Sequence, residues 1–450
     1  MKESKVTRVI TYGTYDLLHF GHIRLLERAK ALGDYLIVGI TSDDYDRSRG
    51  KINVQQSLME RVEAVRATGL ADEIIVEEYE GQKIDDIKRH SVDIFAIGSD
   101  WIGKFDYLDE YCKVVYLDRT EGVSSSEIRT VDRRIRLGLI GGNESNILLK
   151  YVSESNLVNG IIISGIMFEN DAIDSRLASL PRYINYGELL DNSDAVYIIS
   201  NPTEHYNQIK TALNRGKHVI CESPIAIGDR KVSELFDLAE KKKVVLLDAI
   251  KTAYSTAYDR LMLMAKTGKI GKIVSVDATC TSLREVTDLE VPTAWNSICG
   301  WGPTAMLPIF QLFGTNYKKI NISSYFLDEK NAYDLFTHID FQYADGVATL
   351  KVGRGVKSEG ELIISGTKGY IYVPAPWWKT DYFEIRYENS SDNKRYFYQL
   401  EGEGIRYELV AFVKAIELKK NYSYISKDVS IGIGRVVGDF YDKNNMLVIG

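Results

Sequence analysis

The sequence predicts an α/β chain that ends in an open sheet, and three observations carry that reading. Between residues 8 and 129, short β-branched runs alternate with longer amphipathic segments, the pattern of β-α-β units around a parallel sheet. A charged joint, Val131-Asp132-Arg133-Arg134, precedes a fresh strand-like start at Ile135-Arg136-Leu137-Gly138-Leu139-Ile140-Gly141, and the alternation resumes to about residue 250. Beyond Lys251 long alternating strands dominate, as in an antiparallel sheet domain.

Taken in order, Val9-Ile10-Thr11-Tyr12 reads as a strand and 23–32 as a helix with Leu25, Leu26 and Ala29 on one face. Residues 35–41 form the next strand. Helices are expected over 60–68 and 84–89, and strands over 73–76, 94–98 and 114–117. In the second stretch, strands are expected at 160–163, 195–200, 218–221 and 244–247, separated by helical segments. The last third reads as strands at 274–281, 320–326, 337–343, 347–352, 361–365 and 383–387, closed by a helix near 407–418.

Of the 450 residues, 56 are Lys or Arg and 63 are Asp or Glu, a net charge of −7, so no cationic field is available to hold a nucleic-acid backbone. Cys112, Cys221, Cys280 and Cys299 are far apart and form no C-x-x-C pair, which fits a reducing compartment and gives no zinc ribbon. No apolar run approaches the roughly 18 residues of a membrane span, and the amino end has no long apolar core. A cytoplasmic protein with no membrane or nucleic-acid partner is expected.

The most informative residues are Thr14-Tyr15-Asp16-Leu17-Leu18-His19-Phe20-Gly21-His22, set between the first strand and the first helix. Gly21 lets backbone approach a ligand, the helix dipole and its leading N–H groups attract an anion, and His19 and His22 can donate to a phosphate. A nucleoside triphosphate suits such a site. Two polar loop histidines are the plainer reading, but H-x-G-H arises by chance in a chain this long only on the order of one time in a hundred. About 100 residues later, Arg119-Thr120-Glu121-Gly122-Val123-Ser124-Ser125-Ser126 gathers a guanidinium and hydroxyls at another expected helix start. Alone, it reads equally well as a serine-rich cap.

Residues 6–129 resemble the glycerol-3-phosphate cytidylyltransferases of the H-x-G-H nucleotidylyltransferase superfamily. The likeness is carried by Ile10 to His22, by Leu25-Leu26-Glu27-Arg28-Ala29-Lys30, by Gly98-Ser99-Asp100-Trp101-Ile102-Gly103-Lys104-Phe105-Asp106 and by Val114-Val115-Tyr116-Leu117 running into Arg119-Thr120-Glu121-Gly122. It implies a Rossmann-like nucleotidylyltransferase domain that makes CDP-glycerol and pyrophosphate from CTP and sn-glycerol 3-phosphate, with Mg2+ carried mainly on triphosphate oxygens. It further implies that Thr14, His19 and His22 hold the triphosphate, that Arg119, Ser124 and Ser125 meet the β and γ phosphates with Thr120 also toward the substrate, and that Lys51 and Arg49 close from 46–52. Arg61 and Asp100 take positions that contribute to substrate or base binding in the family. At Gly69-Leu70-Ala71-Asp72-Glu73 a family arginine is missing, with Arg66 the nearest, and Tyr79 stands beside an unmatched aromatic position at Glu80. A different polyol phosphate is therefore an open acceptor.

Residues 134–450 resemble, more loosely, the glucose-fructose oxidoreductase and inositol dehydrogenase (Gfo/Idh/MocA) family. The clearest passage is Ser200-Asn201-Pro202-Thr203-Glu204-His205, followed by Gly216-Lys217-His218-Val219-Ile220-Cys221-Glu222-Ser223-Pro224. This resemblance implies a Rossmann-like dinucleotide-binding domain and an α+β open-sheet domain, with NAD(P) as the cofactor. Asn201, Pro202, His205 and Lys251 are the positions expected toward that cofactor, although His205 and Lys251 also read as structural residues.

The chain departs from that family where redox chemistry needs it. Ser223 replaces the lysine of Glu-Lys-Pro, and Met306 and Phe310 stand where an aspartate and a histidine or tyrosine are usual. The first loop, Gly138-Leu139-Ile140-Gly141-Gly142-Asn143-Glu144-Ser145, lacks G-x-G-x-x-G, and Ile163-Ser164-Gly165-Ile166 offers no acidic side chain for a ribose. Lys251 and Tyr254 are the nearest replacement acid–base groups. Trp295, Trp301, Trp377 and Trp378 line either a cleft or the core.

The expected division is 1–131, 132–250 and 251–450. The expected function is a cytidylyltransferase carrying a degenerate reductase-like module, and a homo-oligomer formed through the carboxy-terminal sheet. The rivals are a bifunctional enzyme whose second half makes the polyol phosphate and a non-catalytic nucleotide sensor.

Overall fold

The computed structural model describes residues 6–48, 54, 56–79, 81–118, 135–142, 145–158, 160–168, 174–283, 295–398, 400, 402–419 and 423–450. The chain divides into two compact units, Met1–Arg134 and Ile135–Gly450.

The first unit contains β1 (Arg8–Gly13), α1 (Phe20–Lys30), β2 (Tyr35–Thr41), α2 (Asp43–Ser48), α3 (Leu58–Ala67), β3 (Glu73–Glu77), α4 (Gln82–Arg89), β4 (Ile94–Gly98) and β5 (Lys113–Leu117). All five strands are parallel, in the order β3-β2-β1-β4-β5. Side-chain alternation splits the core between the sheet's two faces. Val9, Leu36, Val38, Ile40 and Ala96 pack with Leu26 and Ala29 of α1 and with Val62 and Val65 of α3. Ile10, Tyr12, Ile37, Phe95 and Ile97 pack with Ile87 of α4.

Helix α1 starts three residues before its expected position because His19 caps it ahead of the amphipathic repeat. Ser57 and Glu60 form a reciprocal capping box that opens α3 two residues early. Helix α2 was not expected from the sequence.

The second unit opens with β6 (Ile135–Gly141), α5 (Ser145–Ser155), β7 (Ile161–Met167), β8 (Arg182–Tyr183), α6 (Tyr186–Asp191), β9 (Ala195–Ile199), α7 (Pro202–Asn214), β10 (His218–Glu222), α8 (Asp229–Lys242) and β11 (Leu246–Ala249). These strands form a parallel sheet in the order β11-β10-β9-β6-β7-β8.

Strand β7 runs four residues past its expected end. At Gly165 the register against β6 shifts, and a Cβ there would lie 2.4 Å from the Tyr183 ring, so only glycine fits. A break-like Ser-Gly is thus strand interior. The residue following the strand end is Phe168, not Ile166, and the acidic Glu169 comes next in sequence, outside the described residues.

The remainder comprises α9 (Thr256–Lys266), β12 (Ile273–Leu283), α10 (Ser297–Phe313), β13 (Lys319–Asp328), β14 (Tyr333–Gln342), β15 (Val347–Gly353), β16 (Gly355–Val356), β17 (Leu362–Gly366), β18 (Tyr370–Val373), β19 (Tyr382–Arg386), β20 (Lys394–Phe397), α11 (Ile405–Leu418), α12 (Lys427–Tyr441) and β21 (Met446–Val448). The large sheet follows β20-β19-β18-β17-β12-β15-β14-β13-β21, with β16 on β12.

The sheet is mixed rather than purely antiparallel, because β12 and β15 pair in parallel and so do β13 and β21. The β12-to-β15 crossover passes through α10, β13 and β14, and parallel neighbours require such a long connection. Helix α10, which carries Met306 and Phe310, was not among the elements expected from the sequence. It contains Pro303 and Pro308, yet its apolar side chains are buried against β12, β14 and β15, and packing overrides propensity.

Candidate active site

In the first unit the strand order reverses between β1 and β4, the switch point at which α/β sheets open a crevice beyond their carboxyl ends. Thr14 follows β1 at that edge, and Ser99 and Asp100 follow β4. The backbone of Asp100 enters a short 3-10 turn, Ser99–Trp101, while its side chain lies outside the described residues.

The loop from β1 to α1 is held in an unusual conformation. Tyr15 and Leu17, neither of them glycine, have φ of 53° and 47°. Left-handed backbone at such residues persists only where surrounding bonds over-determine it. Here Gln56 accepts from Leu17 N at 2.7 Å and donates its own N–H to Asp16 Oδ1 at 3.0 Å, while Tyr15 is buried in the core.

The loop delivers two imidazoles to the start of α1. Gly21 N donates to His19 Nδ1 at 3.1 Å, so the hydrogen of a neutral His19 ring sits on Nε2, the tautomer that can donate to an oxyanion. Ile23 N closes the first turn on His19 O at 3.0 Å, so with Gly21 N given to the His19 ring the amides of Phe20 and His22 stand at the leading edge of the helix. His19 and His22 stack with ring centroids 3.9 Å apart, and Tyr15 meets His22 edge-on at 5.5 Å.

Arg61, expected toward substrate, is fully buried and committed to the scaffold. Its Nε donates to Gln56 O at 3.2 Å, and its Nη1 donates to Thr14 O and Thr41 O, both at 2.8 Å, and lies 3.4 Å from Asp46 Oδ2. Its Nη2 pairs with Asp43. The Asp46 carboxylate, equally buried, accepts from Thr14 Oγ1 at 3.1 Å and Thr41 Oγ1 at 2.6 Å. Arg61 and Asp46 thus fix the backbone and hydroxyl of Thr14 from behind. Sequence reasoning missed Asp46 and Gln56, whose only signal was polar residues flanking an apolar helix.

Arg49, Lys51, Arg119, Thr120, Ser124 and Ser125 lie outside the described residues. His19 and His22 are brought together, and Thr14 stands on the same β1-to-α1 connection with its hydroxyl on Asp46 and Thr41. Among the described residues no group of three or more His, Cys, Asp or Glu could hold a metal ion.

The cytidylyltransferase-like family model matches residues 10–131. A glycerol-3-phosphate cytidylyltransferase of Bacillus spizizenii is 50% identical over 122 residues, 27% of this chain and 94% of that protein. One from Staphylococcus aureus is 47% identical over 126 residues, covering 27% of this chain and 92% of the relative. The chain belongs to the cytidylyltransferase-like family. Its first unit is a nucleotidyltransferase domain.

This cytidylyltransferase carries a second recognisable part, since the model of an oxidoreductase family with an NAD-binding Rossmann fold matches residues 145–249. A 3-ketoreductase from Actinomadura kijaniata, solved with NADP and TDP-benzene, superimposes with a TM-score of 0.62 at 15% identity over 71% of this chain and all of the neighbour. A UDP-N-acetylglucosamine 3-dehydrogenase from Acidithiobacillus ferrooxidans gives 0.55 at 15% identity, covering 70% of this chain and 99% of that one. At such identity the likeness establishes the fold of the reductase-like unit.

Its own switch point lies between β6 and β9, whose ends pair Gly141 with Ile199, so Gly142 follows one strand and Ser200, Asn201 and Pro202 follow the other. Asn201 caps α7 by accepting from Thr203 N at 3.0 Å, and Pro202 fills the first helical position. A Cβ at Gly142 would meet nothing within 4 Å, so the backbone there is approachable, as a dinucleotide pyrophosphate requires.

His205 does not reach that crevice. It is fully buried, with Nδ1 2.9 Å from Pro224 O and Nε2 2.9 Å from Ser200 O. Burial pushes its pKa down, and a ring committed to two backbone carbonyls clamps the chain rather than touching a cofactor. Met306 and Phe310 are buried core residues of α10. Ser223 is buried beside Asp248, whose pKa burial raises to about 6. Trp377 is core, donating to Thr279 O at 3.0 Å, and Trp301 packs on Trp378. Tyr254 is buried with its hydroxyl 3.2 Å from Ser423 Oγ.

Lys251, unlike His205 and Tyr254, is partly exposed. Its Nζ donates to Tyr151 Oη at 3.3 Å.

Proposed function

We propose that the first unit transfers CMP from CTP to glycerol 3-phosphate, releasing pyrophosphate and CDP-glycerol. The observation that carries this reading is the His19–His22 pair at the leading edge of α1, in a domain about half identical to glycerol-3-phosphate cytidylyltransferases.

A phosphate oxygen of the acceptor attacks the α-phosphorus of CTP in line. The new P–O bond forms as the bond to the β-bridging oxygen breaks, and the electron pair leaves on pyrophosphate. The barrier comes chiefly from bringing two anions together, so positioning and charge neutralisation supply most of the catalysis. His19 Nε2–H, His22 and the amides at the start of α1 donate to phosphate oxygens, strengthening as charge develops. Thr14 lines the same edge, held by Arg61 and Asp46. Asp100 serves the substrate from the end of β4. Arg49 and Lys51 close over the triphosphate, and Arg119, Thr120, Ser124 and Ser125 receive its outer phosphates. Bound with the triphosphate, Mg2+ would supply further charge neutralisation beside His19 and His22.

We assign residues 1–131 to this domain, 132–250 to the dinucleotide-type domain and 251–450 to the open-sheet domain. The second unit is read as a ligand-binding, redox-inactive module. The crevice at Gly142 and Asn201 fits NAD(P), whereas Ser223, Met306 and Phe310 supply no proton to a carbonyl. Cytoplasmic location and self-assembly complete the proposal. Among the described residues no helix is long and apolar enough to cross a membrane.

The test is 31P NMR of the protein with CTP, Mg2+ and a panel of polyol phosphates. Glycerol 3-phosphate should yield a diphosphate diester and pyrophosphate in equal amounts. No product with glycerol 3-phosphate removes the acceptor assignment, and no product with any acceptor removes the reaction. NAD(P)H titration with a keto substrate checks the second unit, where turnover would overturn the inactive reading.

A further inference from the structure

Three lysines from separate segments converge in the second unit: Lys150 on α5, Lys251 in the turn Lys251–Tyr254 and Lys379 in the turn Trp377–Lys379. Both Lys150 and Lys379 pair with the one carboxylate of Glu403.

The arrangement is held closely. Glu403 has φ of 54°, and a Cβ on the following Gly404 would stand 2.9 Å from Lys251 O, so that turn is pressed against the Lys251 backbone. Thr252 Oγ1 donates to Trp378 O at 2.9 Å, tying the turn that bears Lys251 to the one that bears Lys379.

The charges around the lysines do not cancel. Glu222 accepts from the hydroxyls of Tyr151 and Tyr197, Glu154 is matched by Arg406, and Glu408 is held toward its neutral form by burial and by Glu222. Among the described residues, three ammonium groups therefore face two carboxylates, Glu403 and Glu222. Burial first, then repulsion from Lys251 and Lys379, pushes Lys150 down to about 8, and burial followed by Lys251 lowers Lys379. Like charges gathered where each keeps only part of its water are unfavourable until a further anion joins them. Lysines act as point charges approaching from different directions, which suits a tetrahedral oxyanion, whereas planar carboxylates favour the arginine fork.

We propose that this lysine cluster binds a phosphate monoester, the anionic group of a small sugar or polyol phosphate, on Lys150, Lys251 and Lys379. The site is independent of the transfer chemistry of the first unit.

Competitive acetylation of the full chain, read lysine by lysine by mass spectrometry at constant ionic strength, tests it. The probes are inorganic phosphate and glycerol 3-phosphate, with glycerate and NADPH as comparison arms. Labelling of Lys150, Lys251 and Lys379 should fall together, by about tenfold at ten times the dissociation constant, while the exposed Lys241 is unchanged. Lys150→Gln should abolish most of the protection at the other two without changing the melting temperature by more than a few degrees. Should that variant unfold, Lys379→Gln, which removes a partly exposed side chain, gives the same readout at Lys150 and Lys251. Unchanged labelling with both phosphates overturns the site. Equal protection by glycerate overturns the phosphate assignment, and protection by NADPH alone assigns the lysines to the dinucleotide instead.

Discussion

Replacing Arg61 by alanine should unfold the first unit well before it damages the second. The guanidinium and Asp46 are both fully buried, and Asp43, which is partly exposed, adds little. Breaking a buried pair strands the partner charge, and such losses run about 3–5 kcal/mol. The carbonyls of Gln56, Thr14 and Thr41 lose their donor in the same step. A net loss near 4 kcal/mol lowers the melting temperature of a unit this size by roughly 12–16 °C. Differential scanning calorimetry measures it, with the first-unit transition identified by its upward shift in CTP. Asp46→Asn removes the stranded charge, so the double variant should be less destabilised than the summed singles by about 1–3 kcal/mol. A loss under about 1 kcal/mol for Arg61→Ala, or additive singles, would refute the reasoning that this pair positions Thr14.

His19→Asn retains a side chain able to cap α1, so melting should change by less than roughly 1 kcal/mol while the turnover number falls about 10²–10³-fold in steady-state assays. Asn201→Ala removes the cap on α7 and should cost about 1 kcal/mol in urea unfolding of the second unit. Asp248 has a folded pKa near 6 against an ordinary 3.8, so the native state holds its proton more tightly than the unfolded chain does. Its contribution is therefore present below about pH 4 and lost as pH rises through 6. Asp248→Asn should abolish a fall on the order of 3 kcal/mol between pH 4 and 7, visible as a changed pH slope of urea midpoints. Parallel slopes for the two proteins would exclude that role.

What could be read from the sequence was local. Strand β1, the His19–His22 loop and α1 follow one another within 23 residues, and hydrophobic period, glycine and histidine spacing all agree there. The roles of Arg61 and Asp46 were hidden, because a buried guanidinium and a substrate-binding one look alike until the carbonyls around them are placed. Helix α10 was illegible for a different reason. Its prolines and glycines argue for a turn, and only burial against the sheet makes the helix pay. Gly165 misled in the same way, marking a register shift inside β7 rather than its end. The lysine cluster draws on residues 150, 251, 379 and 403, which no periodicity or motif could connect. His205 carried a family signal yet folds inward, since chain order alone does not tell which face of α7 meets the crevice.

The imidazoles at the start of α1 arrange a direct displacement on CTP, without a covalent nucleotidyl-enzyme. It is tested most directly by the stereochemical course at phosphorus, using CTP carrying sulfur and an oxygen isotope at the α position. A single in-line step predicts CDP-glycerol with inverted configuration. Retention would show that the protein itself had carried the nucleotidyl group, and the account would be wrong.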